Sequence, residues 1–204
     1  MRLGLVVDGE SEFKALPRLY PSLHEALESQ LLSPILTKMM PTAPVPVIAR
    51  ACNHAVTQLE GRRADRIIVL LDHEGQGRCP PGLARQLQVS LAGTTNASVW
   101  VVIKDSMFEN WLVADCDALA SQPARFRMTA ARRRRVEENK ADTIDALSLI
   151  KEMCIRSPYH KVQDSARILQ RADPAAIARH SRSFRRFLRA LEHPLYQAQS
   201  RRPG

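Results

Sequence analysis

The segments Leu3–Val7, Arg66–Leu71 (RIIVLL) and Ser98–Ile103 (SVWVVI) are apolar at nearly every position. Successive strand residues face opposite ways, so such a run suits a strand that is covered on both sides. Between the runs the apolar spacing becomes helical. Phe13, Leu16, Leu19, Leu23 and Leu27 follow the first run, with Pro17 and Pro21 expected to interrupt or split that helix. Residues 33–46 carry four prolines and read as a loop, Val45–Ile48 as a short second strand and Asn53–Leu59 as a helix. Leu83, Leu87 and Leu91 mark a further helix, and SMFENWLVAD begins another after Lys104-Asp105. The alternation predicts an α/β fold: a Rossmann-like, four-stranded, mostly parallel sheet flanked by helices, over residues 1–120.

The rest of the chain has a different character. Residues 121–204 contain no strand-like run. Ala141–Met153 reads as a helix with Ile144, Leu147 and Ile150 in register, and 174–191 as a second one with Pro174 near its start. QAQSRRPG reads as a frayed tail. This half is expected to be a helical, Arg-rich extension packed on the core.

Charge follows the same division. The formal net charge is +9; residues 1–120 hold 11 Lys/Arg and 13 Asp/Glu, while residues 121–204 hold 19 and 8. All the excess positive charge therefore lies in the extension. A basic field of this kind attracts polyanions, nucleic acid first. Arg132, Arg133, Arg134 and Arg135 form one candidate surface. Arg182, Arg185, Arg186 and Arg189 form a stripe at helical spacing, with Phe184, Phe187, Leu188 and Leu191 opposite and turned inward. The bland reading is a solvated basic helix or a surface that meets an acidic protein.

At 45% hydrophobic the chain can build a core. Cys52, Cys79, Cys116 and Cys154 show no zinc spacing and read as free thiols of a reducing compartment. No run approaches a membrane span and the start is too short for a signal peptide, so a soluble cytoplasmic protein is expected.

In an open parallel sheet, functional groups gather beyond the carboxyl ends of the strands. Here the first strand ends at Asp8, followed by Glu10 and Glu12; the third ends at Asp72-His73-Glu74; the fourth leads into Glu109 and Asp115. Packed carboxylates raise one another's pKa unless a cation intervenes. Mg²⁺, with Mn²⁺ as substitute, is the natural remedy, and two ions about 3.5–4 Å apart would suit phosphodiester cleavage. Each piece alone has a plainer reading. Asp8-Gly9 can be a turn, Asp72-x-Glu74 a solvated loop, Glu109 a helix-start acid, Asp115 a cap and His73 structural.

The segments LGLVVDGESEFKALPRL, VLLDHEGQGRCPPGL, KDSMFENWLVAD and KVQDSARILQRADP…SRSFRRFLRAL resemble, in this order, the Toprim-like proteins called DUF4276. The resemblance covers nearly the whole chain. The wider Toprim group includes topoisomerases, primases and OLD-type nucleases, and it implies a four-stranded parallel core. The Toprim pattern of an acid ending the first strand and an acid-x-acid pair after the third falls on Asp8 and on Asp72-x-Glu74. Glu12 matches a second acid of the OLD-like branch, and Glu109-Asn110-Trp111 an E-x-W segment. Asp8 stands where Glu is usual and Glu74 where Asp is usual; both keep the charge and change the reach.

The leading expectation is thus a Mg²⁺-dependent phosphodiesterase, a Toprim-type nuclease acting on DNA or RNA. Asp8, Asp72 and Glu74 would hold metal, with Glu12 and Glu109 as further ligand or base. Lys104 would sit near the reacting phosphate, and so, by the resemblance alone, would Lys161. The alternative is a non-catalytic adaptor that binds nucleic acid or an ATPase. The resemblance also implies a separate AAA/ABC-type ATPase and a role in phage defence; the chain itself has no GxxxxGK[ST] segment. A flavodoxin-like nucleotide-binding domain is a third reading, for which Gly75-Gln76-Gly77 is too short a glycine signal.

Overall fold

The computed structural model describes residues 1–73, 79–136 and 140–196. A five-stranded sheet is built from β1 (Arg2–Val7), β2 (Gln30–Leu31), β3 (Ile35–Leu36), β4 (Arg66–Asp72) and β5 (Ser98–Lys104). The order is β2-β1-β4-β5, with β3 also on β1, and every pairing is parallel. β2 pairs with the start of β1 and β3 with its end, so the two act as one interrupted edge strand. Pro34, which has no N–H to donate, lies in the interruption.

The consecutive apolar runs are explained by burial on both faces. Leu3, Leu5, Val7, Ile68, Leu70 and Val102 face one hydrophobic cluster; Val6, Ile67, Val69, Leu71, Val99, Val101 and Ile103 face the other. The second cluster is closed by α2 (Val45–Gly61) and α3 (Pro80–Ala92), through Ile48, Cys52, Val56, Leu59, Leu83, Leu87 and Leu91. The first is closed by α1 (Glu10–His24) and by helices from both halves of the chain. All four cysteines are free thiols, and no helix among the described residues is long and apolar enough to cross a membrane.

Several local expectations are corrected. Val45–Ile48 is not a strand; it is the first turn of α2. Pro44 and Pro46 favour a helix start, where a missing N–H costs nothing, and Ile48, Cys52 and Val56 continue the helical spacing. The strand next to β1 is instead the short β2–β3 pair, with β3 inside the stretch expected to be loop. α1 runs unbroken through Pro17 and Pro21. The prolines are four residues apart on its half-buried to exposed side, so the carbonyls they leave unpaired are not sealed in the core.

Beyond β5 the chain forms α4 (Glu109–Ala114), α5 (Cys116–Ala120), α6 (Ala130–Arg135), a 3₁₀ turn (Ala141–Thr143), α7 (Ala146–Met153), α8 (Lys161–Leu169), α9 (Pro174–His180) and α10 (Arg182–Ala190). The expected helix over 141–153 is therefore a 3₁₀ turn followed by α7. The one expected over 174–191 breaks at Ser181, whose hydroxyl accepts from the Phe184 N–H and caps α10. The tail after residue 196 lies outside the described residues.

One buried polar hub ties α4, the 3₁₀ turn and α10 together. Asp142 accepts from the Ser181 hydroxyl at 2.8 Å, the Ser183 N–H at 3.0 Å and the Ser183 hydroxyl at 2.9 Å. The Trp111 indole N–H donates to the Ser183 Oγ at 2.7 Å, and its ring packs on Phe108, Phe184 and Phe187. Asn110 donates to the carbonyls of Ala141 and Ile144. Removing the acceptor leaves buried donors unpaired. Asp142→Ala should therefore cost about 2–4 kcal/mol, read as a lowered urea midpoint; an unchanged midpoint would deny the hub its role.

Candidate functional site

The carboxyl ends of β1, β4 and β5 meet at one point. Asp8 follows β1 directly, Asp72 is the last residue of β4 and Lys104 the last of β5. β4 and β5 are in register there, Asp72 opposite Lys104. Strand parity turns Lys104 to the same face as Trp100 and Val102, towards α1. Asp8 spans the point where β1 and β4 part: its Oδ2 accepts the Asp72 N–H at 3.1 Å.

Glu12 enters from the first turn of α1, over Gly9. A Cβ at residue 9 would lie 2.0 Å from Glu12 Oε2, so a side chain there would push the Glu12 carboxylate out of this position. The Glu12 carboxylate is buried against the Lys104 ammonium, Oε1 to Nζ 2.5 Å. The same ammonium lies 3.0 Å from Asp72 Oδ1 and 3.5 Å from Asp8 Oδ1. The Asp72 contact is one of charge, since Oδ1 receives no aligned hydrogen bond from the described residues. Ligand atoms of Asp8, Glu12 and Asp72 all lie within 4.8 Å of one another.

One ammonium among three carboxylates leaves negative charge uncompensated. Burial, aided by the charges of Asp8 and Glu12, pushes the Asp72 carboxyl up to about 7 against the pull of Lys104. Burial also opposes ionisation of Glu12, but the charge and hydrogen bond of Lys104, helped by Lys161, hold it below the ordinary value. Lys104 is fully buried, yet its three acidic neighbours keep its pKa well above that of a free lysine. The donor set is hard oxygen with excess negative charge, which fits a divalent cation such as Mg²⁺.

A fourth carboxylate stands apart from this triad. Glu109 opens α4 and is fully buried, and among the described residues neither of its oxygens has a hydrogen-bond partner. Lys161 Nζ, on a largely exposed side chain, lies 3.6 Å from Glu109 Oε1. Arg125 sets where Lys161 stands. Its guanidinium pairs with both oxygens of Asp164 and donates to the carbonyls of Ile155, Ser157 and Pro158, fixing the chain that enters α8.

The sequence-predicted residues divide as follows. Asp8, Glu12 and Asp72 come together, while Glu109 stands apart from that triad, beside Lys161. Glu74 lies outside the described residues. His73 is buried, and its backbone N–H donates to the Ser106 carbonyl. Asp115 caps α5 and accepts the Asp173 N–H. In the arginine run, Arg132 donates to the carbonyls of Arg127 and Glu152, Arg133 pairs with Asp117 and Arg135 with Glu152; Arg134 is exposed on the same helix. On α10, Arg182 is exposed, Arg185 donates to the Ala178 carbonyl, Arg186 pairs with Asp105 and Arg189 lies over the Tyr196 ring. Phe184, Phe187, Leu188 and Leu191 are buried. Sequence reasoning placed Lys104 near the site but not at its centre, and it missed Arg125, whose partner Asp164 is 39 residues away.

Residues 7–192 match the family described as Domain of unknown function (DUF4276). The chain belongs to the DUF4276 family. Among curated proteins and solved structures nothing matches it. The matched DUF4276 region contains Asp8, Glu12, Asp72, Lys104, Glu109 and Lys161.

The raised Asp72 pKa has a measurable consequence. Without divalent ions, the folded DUF4276 chain keeps the Asp72 proton from the ordinary 3.8 up to about 7, whereas the unfolded chain releases it near 3.8. The folded state then binds more protons, so this group's contribution to stability falls as pH rises through that window. Asp72→Asn should abolish this component, so that its stability relative to wild type improves from pH 4 to 7. Urea midpoints across that range test this; parallel profiles for the two proteins would contradict it.

Proposed function

We propose that this DUF4276 protein is a metal-dependent phosphodiesterase, a nuclease of the Toprim type acting on DNA or RNA in the cytoplasm. The observation that carries the reading is the convergence of Asp8, Glu12 and Asp72 around the buried Lys104 ammonium, with charge still uncompensated. Asp8, Glu12 and Asp72 would hold Mg²⁺, or Mn²⁺ in its place, with Glu74 and Glu109 as further candidates. The bound cation supplies Lewis-acid stabilisation of phosphate charge and water of lowered pKa. Lys104 offsets part of the repulsion among the three carboxylates and fixes Glu12 beneath the site. Lys161, the exposed cation on the rim, faces an incoming phosphate. Glu109 holds that ammonium, and Arg125 positions the turn that carries it. Arginines of the extension supply sequence-independent attraction for the polyanion.

The resemblance to Toprim proteins supports the same reading and suggests control by a separate AAA/ABC-type ATPase, in phage defence. One observation favours the adaptor alternative: the Lys104 ammonium already sits among the carboxylates, as a built-in cation of a structural ion-pair cluster would.

Cleavage of labelled DNA and RNA pools separates the two readings. With Mg²⁺ or Mn²⁺ the purified chain should cut, and EDTA should stop it. Asp72→Asn, which keeps the size of the side chain, should lower the rate by about 10²-fold or more, the worth of several kcal/mol of charge stabilisation. Cutting that survives in EDTA or in Asp72→Asn would remove the assignment. Folded protein that cuts neither pool with either metal would leave the adaptor.

A further inference from the structure

β5 is the outer strand of the sheet: among the described residues it pairs with β4 alone. Its other edge is the floor of a groove of about 590 Å³ between α3 and α10. Pro81, Ala84, Arg85 and Val89 line the α3 side; Arg186 and Arg189 line the α10 side. Trp100, Val101 and Val102 of β5 lie between them. An open strand edge with a helix over each face is a template for one more strand.

The main-chain groups on this edge are held only loosely. The Val101 N–H donates to Gln88 Oε1 at 3.4 Å, and the Ile103 carbonyl accepts from Arg186 Nη2 at 3.2 Å. Both partners are side chains; Gln88 makes the longer contact, while Arg186 is held in addition by its ion pair with Asp105. Residues 101 and 103 present their main-chain groups on the same edge, spaced as a strand partner requires. The chemistry of the walls is equally specific. Three arginines line the groove, one of them, Arg186, paired with Asp105, and none of its lining residues among those described is acidic. The apolar share includes Val89, which is 73% exposed.

We propose that this groove docks an extended acidic segment of a partner protein, added as a strand beside β5, with Asp or Glu side chains meeting Arg85 and Arg189. A second copy of the chain fits poorly, because pairing two β5 edges would bring the arginines of both copies together. A nucleic-acid strand fits poorly for a different reason. Its phosphates only accept hydrogen bonds, while the floor offers a donor and an acceptor in alternation. The proposal does not depend on the acidic site. Arg186 does join the two regions, since it contacts both residues that flank Lys104, Ile103 and Asp105.

Random peptides of about ten residues displayed on phage, selected on the full chain, test the proposal. Counter-selection uses the double variant Val89→Asp/Arg189→Glu; both side chains are exposed, so the fold should be kept, which circular dichroism checks. Enriched sequences should alternate Asp or Glu with apolar residues. The corresponding synthetic peptide should bind about ten-fold more weakly to the double variant. Methylation of its amide nitrogens, one at a time, should weaken it by about ten-fold at alternate positions, one to two hydrogen bonds' worth. Asp72→Asn should bind the peptide as wild type does, which separates this result from the fate of the nuclease reading. No enrichment, enrichment without acids, or indifference to methylation overturns the proposal. So does a single-stranded oligonucleotide that binds wild type and is lost from the double variant while no peptide is.

Discussion

The Lys104 ammonium is what allows the rest of the site to exist. Three carboxylates brought together at the ends of parallel strands would drive each other towards protonation or drive the strands apart. A fully buried lysine at 2.5, 3.0 and 3.5 Å from them compensates much of that repulsion. Desolvation alone would discharge this lysine; the acids keep it charged, and it keeps Glu12 charged. The cluster is therefore mutually dependent, and the remaining imbalance falls on Asp72.

The architecture around it serves that balance. In-register pairing of β4 with β5 sets Asp72 against Lys104. The open space at Gly9 admits Glu12. The Glu109-Asn110-Trp111 segment has three distinct tasks. Glu109 meets Lys161, Asn110 holds the turn at 141–144, and Trp111 joins the Ser183–Asp142 hub. A charged pair at the site thus rests directly on the packing that joins the two halves of the chain.

Sequence made the central strands legible because β1, β4 and β5 are buried on both faces, which leaves short unbroken apolar runs between segments of helical spacing. The edge was illegible: β2 and β3 are two residues each and flank a proline, too short for any period. The apolar spacing of α9 continues into α10, so the break at Ser181 had to come from a side-chain cap that periodicity does not register. The proximity of Asp8, Glu12 and Asp72 was legible from one rule, that groups at the carboxyl ends of parallel strands gather at one edge. The same rule reaches Lys104 only as a neighbour, since a strand end does not reveal which side chain fills the middle. Arg125 and Lys161 owe their roles to contacts between segments far apart in the chain, for which no local pattern exists.

The most direct measurement is Mn²⁺ binding by electron paramagnetic resonance, comparing the wild-type chain with Asp72→Asn. The account predicts that wild-type protein quenches the free-ion signal saturably, that Mg²⁺ restores it by competition, and that Asp72→Asn binds markedly more weakly. A free-ion signal untouched by wild-type protein, or equal binding by both proteins, would contradict it and leave the three carboxylates as an ion-pair cluster closed by Lys104.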